Sequence, residues 1–428
     1  MSKSIGLHRK FAGTAGLMII GRGIAMLSSI IYARYLGPEQ FGLYSFALAI
    51  ITMATLPVIA GLPNLLVREV ANFHIEKKWD FLAGVINWSR GYVIIVSLFS
   101  IIFIYSALYM GFFNSSVSEL LWFAVLLIPL RGLLTQQGAI LNGFRKPILA
   151  QLPVKILAPA LTLFVLLFII YSSIELTSIK LINISILASV FSFFVSAILL
   201  NKTTNQVPKK NISKYKFKSW HASLLPFSIM AVVGTLNTEL ASVLLGWLVD
   251  NESVGYFKVA MQAVALIALG LTSVNAVIMP NIARLYKKGD IQATQILLSK
   301  SVRLSVLVSL PIIISLVIFG EFAINLLFGE SYLRAYPILV ILCFGQLVNV
   351  LMGSVGVVLN MTGNEKSALK SLSIALIVNI VLLFTLVPFY GSIGAAVAVS
   401  LSLVCWNILM AFDVYRITNL KTWFLVGV

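Results

Sequence analysis

Residues 91–112 read GYVIIVSLFSIIFIYSALYMGF, 22 consecutive positions without a single Asp, Glu, Lys or Arg. A helix needs about 20 mostly apolar residues to cross the hydrocarbon of a bilayer. The run is apolar on every face, so it reads as a membrane span and not as a half-buried helix or strand. Working outward, the same pattern recurs along the chain, at residues 12–36, 41–63, 84–112, 117–142, 147–171, 178–200, 222–249, 253–280, 301–328, 333–360, 367–390 and 392–416. Twelve such segments leave little chain for anything else. Of the 428 residues, 60% are hydrophobic and 11% charged, and the mean hydropathy is +1.01. A water-soluble domain averages about 45–50% apolar residues, so a soluble fold is excluded. Transmembrane β-barrels alternate apolar and polar residues in segments of about ten, which excludes a barrel.

The net charge of +17 would suggest nucleic acid in a soluble protein. Here the basic residues mark topology instead. With the N-terminus on the cytoplasmic side, 22 lysines and arginines fall on that side and four (Arg34, Lys180, Lys258, Arg334) on the other, with five within or at the edges of spans. The expectation is a multi-pass membrane protein with both termini cytoplasmic. The apolar stretch after Lys10 carries no small-residue cleavage pattern and reads as an uncleaved first span. Residues 65–82, with Leu66, Val70 and Phe73 at helical spacing, read as a helix lying along the inner interface.

Three short matches recur at nearly one offset. Residues 39–44 (EQFGLY) align with 252–257 (ESVGYF) at 213, Lys77-Lys78 with Lys287-Lys288 at 210, and 138–142 (GAILN) with 356–360 (GVVLN) at 218. The spacing predicts two homologous halves of six spans entering the membrane in the same direction. The domain reading is a lobe over 1–200, a basic linker over 201–221, a second lobe over 222–416 and a tail over 417–428. A parallel repeat of this kind places a substrate site between the halves near the midplane.

Chemistry is sought inside the spans, where ionisable groups are costly and tend to face a cavity or a partner. Arg22 lies in span 1 between Gly21 and Gly23, and Glu239 lies in span 7. The repeat offset sets them about 6 Å apart in depth, close enough either to neutralise each other or to serve an anionic substrate and a coupling ion, respectively. Arg131, Asn237, Lys258, Gln262 and Asn275 complete the candidate cavity set, and Arg34 marks its outer rim. Lys155 reads as a snorkelling residue. His8, His74 and His221 are far apart and Cys343 and Cys405 sit in apolar runs, so neither a metal nor a disulfide framework is expected. No phosphate-binding loop with a Lys-Ser/Thr ending occurs, so direct nucleotide hydrolysis is not expected, and the outer loops are short with their acids scattered singly, so neither an enzyme nor a cofactor is expected.

The run Tyr32-Ala33-Arg34-Tyr35-Leu36-Gly37-Pro38-Glu39-Gln40-Phe41-Gly42-Leu43-Tyr44 resembles the opening of the polysaccharide-export flippases of the multidrug, oligosaccharidyl-lipid and polysaccharide exporter superfamily. The likeness continues through Gly61-Leu62, 66–71 (LVREVA), 137–143 (QGAILNG), 250–257 (DNESVGYF) and 388–398. It implies an all-α polytopic fold, with twelve helices in two six-helix lobes forming a V around a central cavity lined by spans 1, 2, 7 and 8. It also implies movement of a polyprenyl-pyrophosphate-linked oligosaccharide from the inner to the outer leaflet, for surface polysaccharide or O-antigen synthesis. The expected partners are that lipid-linked saccharide, membrane lipid and polysaccharide polymerase or ligase proteins, with no nucleic acid. Cation-coupled export of small amphipathic drugs by the same superfamily fold is the alternative, and a non-transporting scaffold of a glycan-assembly complex is the third.

Overall fold

The computed structural model describes residues 2–205, 208 and 213–424, with the side chains of residues 2–15, 18, 19, 226, 276, 277 and 280 outside the description. Lys209 and Lys210 of the basic linker, the His8 side chain and the last four residues of the tail therefore lie outside the described residues. All regular structure among the described residues is helical. The main helices are α1 (Ser2–Ile59), α2 (Leu62–Ile75), α3 (Trp79–Tyr109), α4 (Ser115–Ala124), α5 (Leu127–Gly143), α6 (Pro147–Gln151), α7 (Ala158–Tyr171), α8 (Ser178–Thr204), α9 (Phe217–Leu248), α10 (Asn251–Lys287), α11 (Ile291–Phe328), α12 (Ala335–Met352), α13 (Val355–Met361) and α14 (Glu365–Thr418).

Among the described residues, ten helical segments are long and apolar enough to cross a membrane. Two of them are too long for one crossing. The 58 residues of α1 rise about 87 Å and the 54 of α14 about 81 Å, against roughly 30 Å of hydrocarbon. Each breaks at a glycine that leaves the helical region: Gly37 at φ 72, ψ 172, and Gly391 at φ 52, ψ −130, three residues after Pro388. A side chain at either position would be strained, so glycine is what allows the chain to turn there.

Several segments expected to be continuous are interrupted. The 117–142 span is α4 and α5 with a break after Ala124, and the 333–360 span is α12 and α13 separated at Gly353, φ 71. Between α6 and α7, Leu152–Leu157 forms a π-turn containing Pro153, which has no N–H for the ladder. The interfacial helix is α2 and ends at Ile75, short of the expected Leu82, because the chain turns at 76–78 and restarts as α3. Its apolar residues Leu62, Leu65, Leu66, Val70 and Phe73 are all buried.

The chain divides into two compact units, one of residues 1–36 and 46–235, the other of 37–45 and 236–428. In the first unit, α5 packs against α2, α3 and α8. The described end of the linker is tied to this unit. The Lys214 N–H donates to the Asp80 carbonyl at 3.0 Å, and a Cβ at Gly84 would stand 1.9 Å from the Lys214 carbonyl oxygen. Lys216 sits over the rings of Phe73 and Phe81, at 5.4 and 4.8 Å. In the second unit, α12 packs against α10, α11 and α14, and α13 packs against α14.

Residues 37–45 carry the start of the second apolar stretch of α1 into the second unit. There a Cβ at Gly42 would fall 1.6 Å from the carbonyl oxygen of Asn251, and one at Gly255 would fall 2.3 Å from that of Pro38. The two contacts are reciprocal. Gly42 and Gly255 are 213 positions apart, and so are Pro38 and Asn251, the offset read from the sequence. Beside them Phe41, Tyr256 and Phe328 surround the buried ring of Tyr332. Burial, with Tyr256 beside it, holds the Tyr332 phenol well above its ordinary value, so it stays neutral as a packing group.

Candidate functional site

In the second unit, Glu239 on α9 and Lys258 on α10 form an ion pair at 2.9 Å, with side chains 24% and 22% exposed. The sequence reading set Glu239 against Arg22 and placed Lys258 among the cavity candidates; the structure gives Glu239 Lys258 as its partner. The reason is local. Helices α9 and α10 are joined by a short turn at 249–250, so positions ten before and eight after it face each other at similar depth. Gln262 follows Lys258 by one turn on α10, partly buried.

Asn237, two residues before Glu239, is 5% exposed. Its amide donates to the Leu372 carbonyl at 3.4 Å, its own carbonyl accepts from Asn379 at 3.4 Å, and Ser402 donates to the nearby Ala375 carbonyl at 2.9 Å. Asn237, Thr238, Gln346, Ser402 and Trp406 line a small cavity of about 100 Å³. A second cavity of about 290 Å³ shares Trp406 and is lined by Asn275, Asn349, Ser354, Asn360 and Asn407. Ser354 donates to the Asn275 amide oxygen, and Asn349 to that of Gln346 at 3.0 Å. The buried amide oxygens of Asn379 and Asn407 have no hydrogen-bond partner. In a low-dielectric interior an unmet acceptor is costly, so such oxygens call for a water or a ligand donor.

The first unit also holds buried acceptors without a partner, the amide oxygens of Gln136 and Gln137 among them. Arg131 on α5, partly buried, donates to the Thr52 hydroxyl on α1 at 3.2 Å. Gly132 makes this reach workable, since a Cβ there would meet Val58 of α1 and Val93 of α3 within 2.8 Å. Gln136 is buried and donates to Ser89 of α3 at 2.9 Å. Arg22 is exposed. Of its two flanking glycines only Gly21 is a contact, with a would-be Cβ 2.5 Å from the carbonyl oxygen of Lys155 in the π-turn, whereas nothing lies within 4 Å of Gly23. Arg34 is exposed just before the Gly37 break.

The structure thus brings Asn237, Glu239, Lys258, Gln262 and Asn275 into one unit, and Arg22 and Arg131 into the other. The sequence reading missed Asn349, Ser354, Asn360, Asn379, Trp406 and Asn407. Their signal was present as single amides and a tryptophan inside apolar runs, but only the fold shows that three helices turn them to one place.

Residues 31–337 match the family described as polysaccharide biosynthesis protein. The chain belongs to that family. Among the proteins similar to it is the capsular polysaccharide biosynthesis protein CapF of Staphylococcus aureus, 27% identical over 56% of this chain and 60% of that one. The chain therefore spans less than two thirds of that relative. A protein of Shigella flexneri named for O-antigen transport is 23% identical over 93% of this chain and 94% of its own. A solved structure of the lipid II flippase MurJ, in an inward closed conformation, matches with a TM-score of 0.77 at 18% identity, over 94% of this chain and 87% of that one. At that identity the likeness speaks for fold alone. With ten helical segments long and apolar enough to cross a membrane among its described residues, this family member is a multi-pass membrane protein, and a further relative, from Haloferax volcanii, is named as a probable flippase of low-salt glycan biosynthesis, 25% identical over 49% of this chain and 45% of that one.

Proposed function

We propose that the protein moves a polyprenyl-pyrophosphate-linked oligosaccharide from the cytoplasmic to the outer leaflet by alternating access, supplying surface polysaccharide or O-antigen assembly. The observation that carries this reading is the set of amide-lined cavities inside helices that are otherwise apolar, in a chain of the polysaccharide biosynthesis family. A transporter core needs polar groups where a purely structural bundle would avoid them. In this reading the breaks at Gly37 and Gly391 divide the two longest helices, so ten apolar segments make twelve spans. They form two six-helix lobes, over 1–200 and 222–416, that meet in a V around a central cavity, with 201–221 as connector and both termini in the cytoplasm of a bacterial cell.

Arg22, with Arg131 deeper, holds the pyrophosphate; Arg34 and Lys258 flank the outward opening, and Asn237, Gln262 and Asn275 meet the glycan. Glu239 is the coupling group. Exchange of a proton or a sodium ion at Glu239 competes with its pair to Lys258, so ion binding and substrate charge are linked at one place. Polymerase or ligase proteins receive the product outside. Cation-coupled drug export fares less well, because its expected bare acid is here held by a lysine. The test is a vesicle assay of lipid-linked oligosaccharide movement with Arg22→Gln and Glu239→Gln variants. Full activity in both variants, with normal insertion, overturns the residue roles, and dye extrusion with no saccharide movement overturns the substrate class.

A further inference from the structure

We infer that the asparagine-lined cavity of the second unit is a subsite for one uncharged sugar ring of the cargo, an inference that rests on the transport reading above. Four asparagines (Asn275, Asn349, Asn360, Asn407), Ser354 and Trp406 line it. Among the described residues its lining contains no Lys, Arg, Asp or Glu. A phosphate or a uronic acid placed against that lining would give up part of its hydration and meet no counter-charge, which is costly. A neutral sugar suits the same lining. Each hydroxyl both donates and accepts, and a side-chain amide offers two donors and an acceptor of matching kind. An indole face adds an apolar surface, negative at its centre, for the C–H groups of a pyranose ring.

The cavity runs from the exposed Asn360 to Asn407, which has no exposed surface. The Asn407 amide nitrogen donates to the Leu403 carbonyl at 2.8 Å, while its oxygen has no partner. That oxygen is a buried acceptor waiting for a hydroxyl or acetamido N–H. At about 290 Å³ the space lies at the lower end of ligand pockets, roughly 300–1,000 Å³, which fits one ring and not a whole oligosaccharide. The neighbouring α14 carries Lys366 and Lys370 in its first two turns. A sugar in the cavity thus leaves those cations to the anionic part of a cargo or to lipid headgroups.

The test uses the full-length protein in lipid nanodiscs, with saturation-transfer NMR of methyl N-acetyl-β-glucosaminide, methyl glucoside and methyl glucuronide. The neutral glycosides are expected to bind, the glucuronide to bind at least tenfold more weakly, and Asn349→Ala or Asn360→Ala to weaken the neutral sugars about fivefold each, one hydrogen bond's worth. Trp406→Leu is expected to weaken them while Trp406→Phe retains most binding. Asn349 and Asn360 are chosen because neither is fully buried, so the variants should fold; a native unfolding midpoint checks this. No binding above empty nanodiscs, a glucuronide preference, or variants that bind like the parent would each overturn the subsite. If neutral sugars bind as expected but vesicles show no movement of a lipid-linked saccharide, the transport reading falls and the subsite stands. If movement is seen and the two Asn variants bind and transport like the parent, the subsite falls alone.

Discussion

Residues 38–45 and 251–258 meet as near copies, each helix start laying a glycine on the other's backbone. Residues 131 and 349, related by the 218 offset of the nearby GAILN and GVVLN matches, have parted: an arginine bonded to Thr52 in one unit, an asparagine lining an open cavity in the other. The difference is one of constraint. At the first place two backbones pass closer than any side chain permits, so only glycine fits either half. At the second no backbone is crowded, and the side chain is free to follow chemistry. The two halves agree where backbones touch and differ where they do not.

The largest effect should come from breaking the repeated place. Gly42→Leu puts a Cβ within 1.6 Å of the Asn251 carbonyl oxygen, which neither backbone can accommodate. Overpacking of this kind costs about 3 kcal/mol or more. The expected result is loss of folded protein on size-exclusion chromatography. Gly255→Leu should do nearly the same, since the contact is reciprocal. Folded Gly42→Leu protein with an unshifted unfolding midpoint would mean that the helices are not held at this crossing.

Next is the charged pair of the second unit. Lys258→Met leaves Glu239 charged within apolar helices, and removing one partner of a buried pair costs about 3–5 kcal/mol. With both side chains nearly a quarter exposed, about 2 kcal/mol is expected. The Glu239→Gln/Lys258→Met double variant should recover most of it. A double-mutant cycle read by denaturant unfolding measures the coupling, and purely additive losses would show that the pair does not act as one.

These two places also show what a sequence can and cannot disclose. Apolar runs announced the membrane helices, because hydrocarbon imposes length and composition on each segment separately. The glycine register was legible too, as a motif repeated at 213. Breaks at Ala124, the π-turn and Gly353 were not, since a short interruption leaves the run equally apolar. The Glu239–Lys258 pair was missed for a related reason. Depth along a span can be counted from residues, but which neighbour a helix turns toward depends on packing, and the count alone favoured Arg22. Asn407 and Trp406 were invisible in the same way, as isolated polar residues acquire meaning only when α10, α12 and α14 bring them to one cavity.

A milder test moves the divergent residue. Arg131→Asn gives the first unit the amide of the second, removing the bond to Thr52. Interhelical hydrogen bonds in membranes average about 0.6 kcal/mol, so a loss near 1 kcal/mol is expected in stability. Under the transport reading the loss in lipid-linked saccharide movement should be much greater than that in stability. Equal, small losses in both would make Arg131 a packing residue.

The smallest effect is expected at the linker, which neither half repeats. Lys214→Ala removes the ion pair with Asp80 at 3.1 Å, but the lysine side chain is 58% exposed and surface pairs contribute about 0–1 kcal/mol. The backbone bond from Lys214 to Asp80 and the close passage over Gly84 remain in the variant. About 0.5 kcal/mol should be lost at low salt, and the difference from the parent should vanish in 1 M NaCl, where charges are screened beyond about 3 Å. Gly84→Val, which displaces the strand of linker itself, should cost several times more. If Lys214→Ala proved the costlier of the two, the linker would be held to its unit by charge, and salt alone would release it.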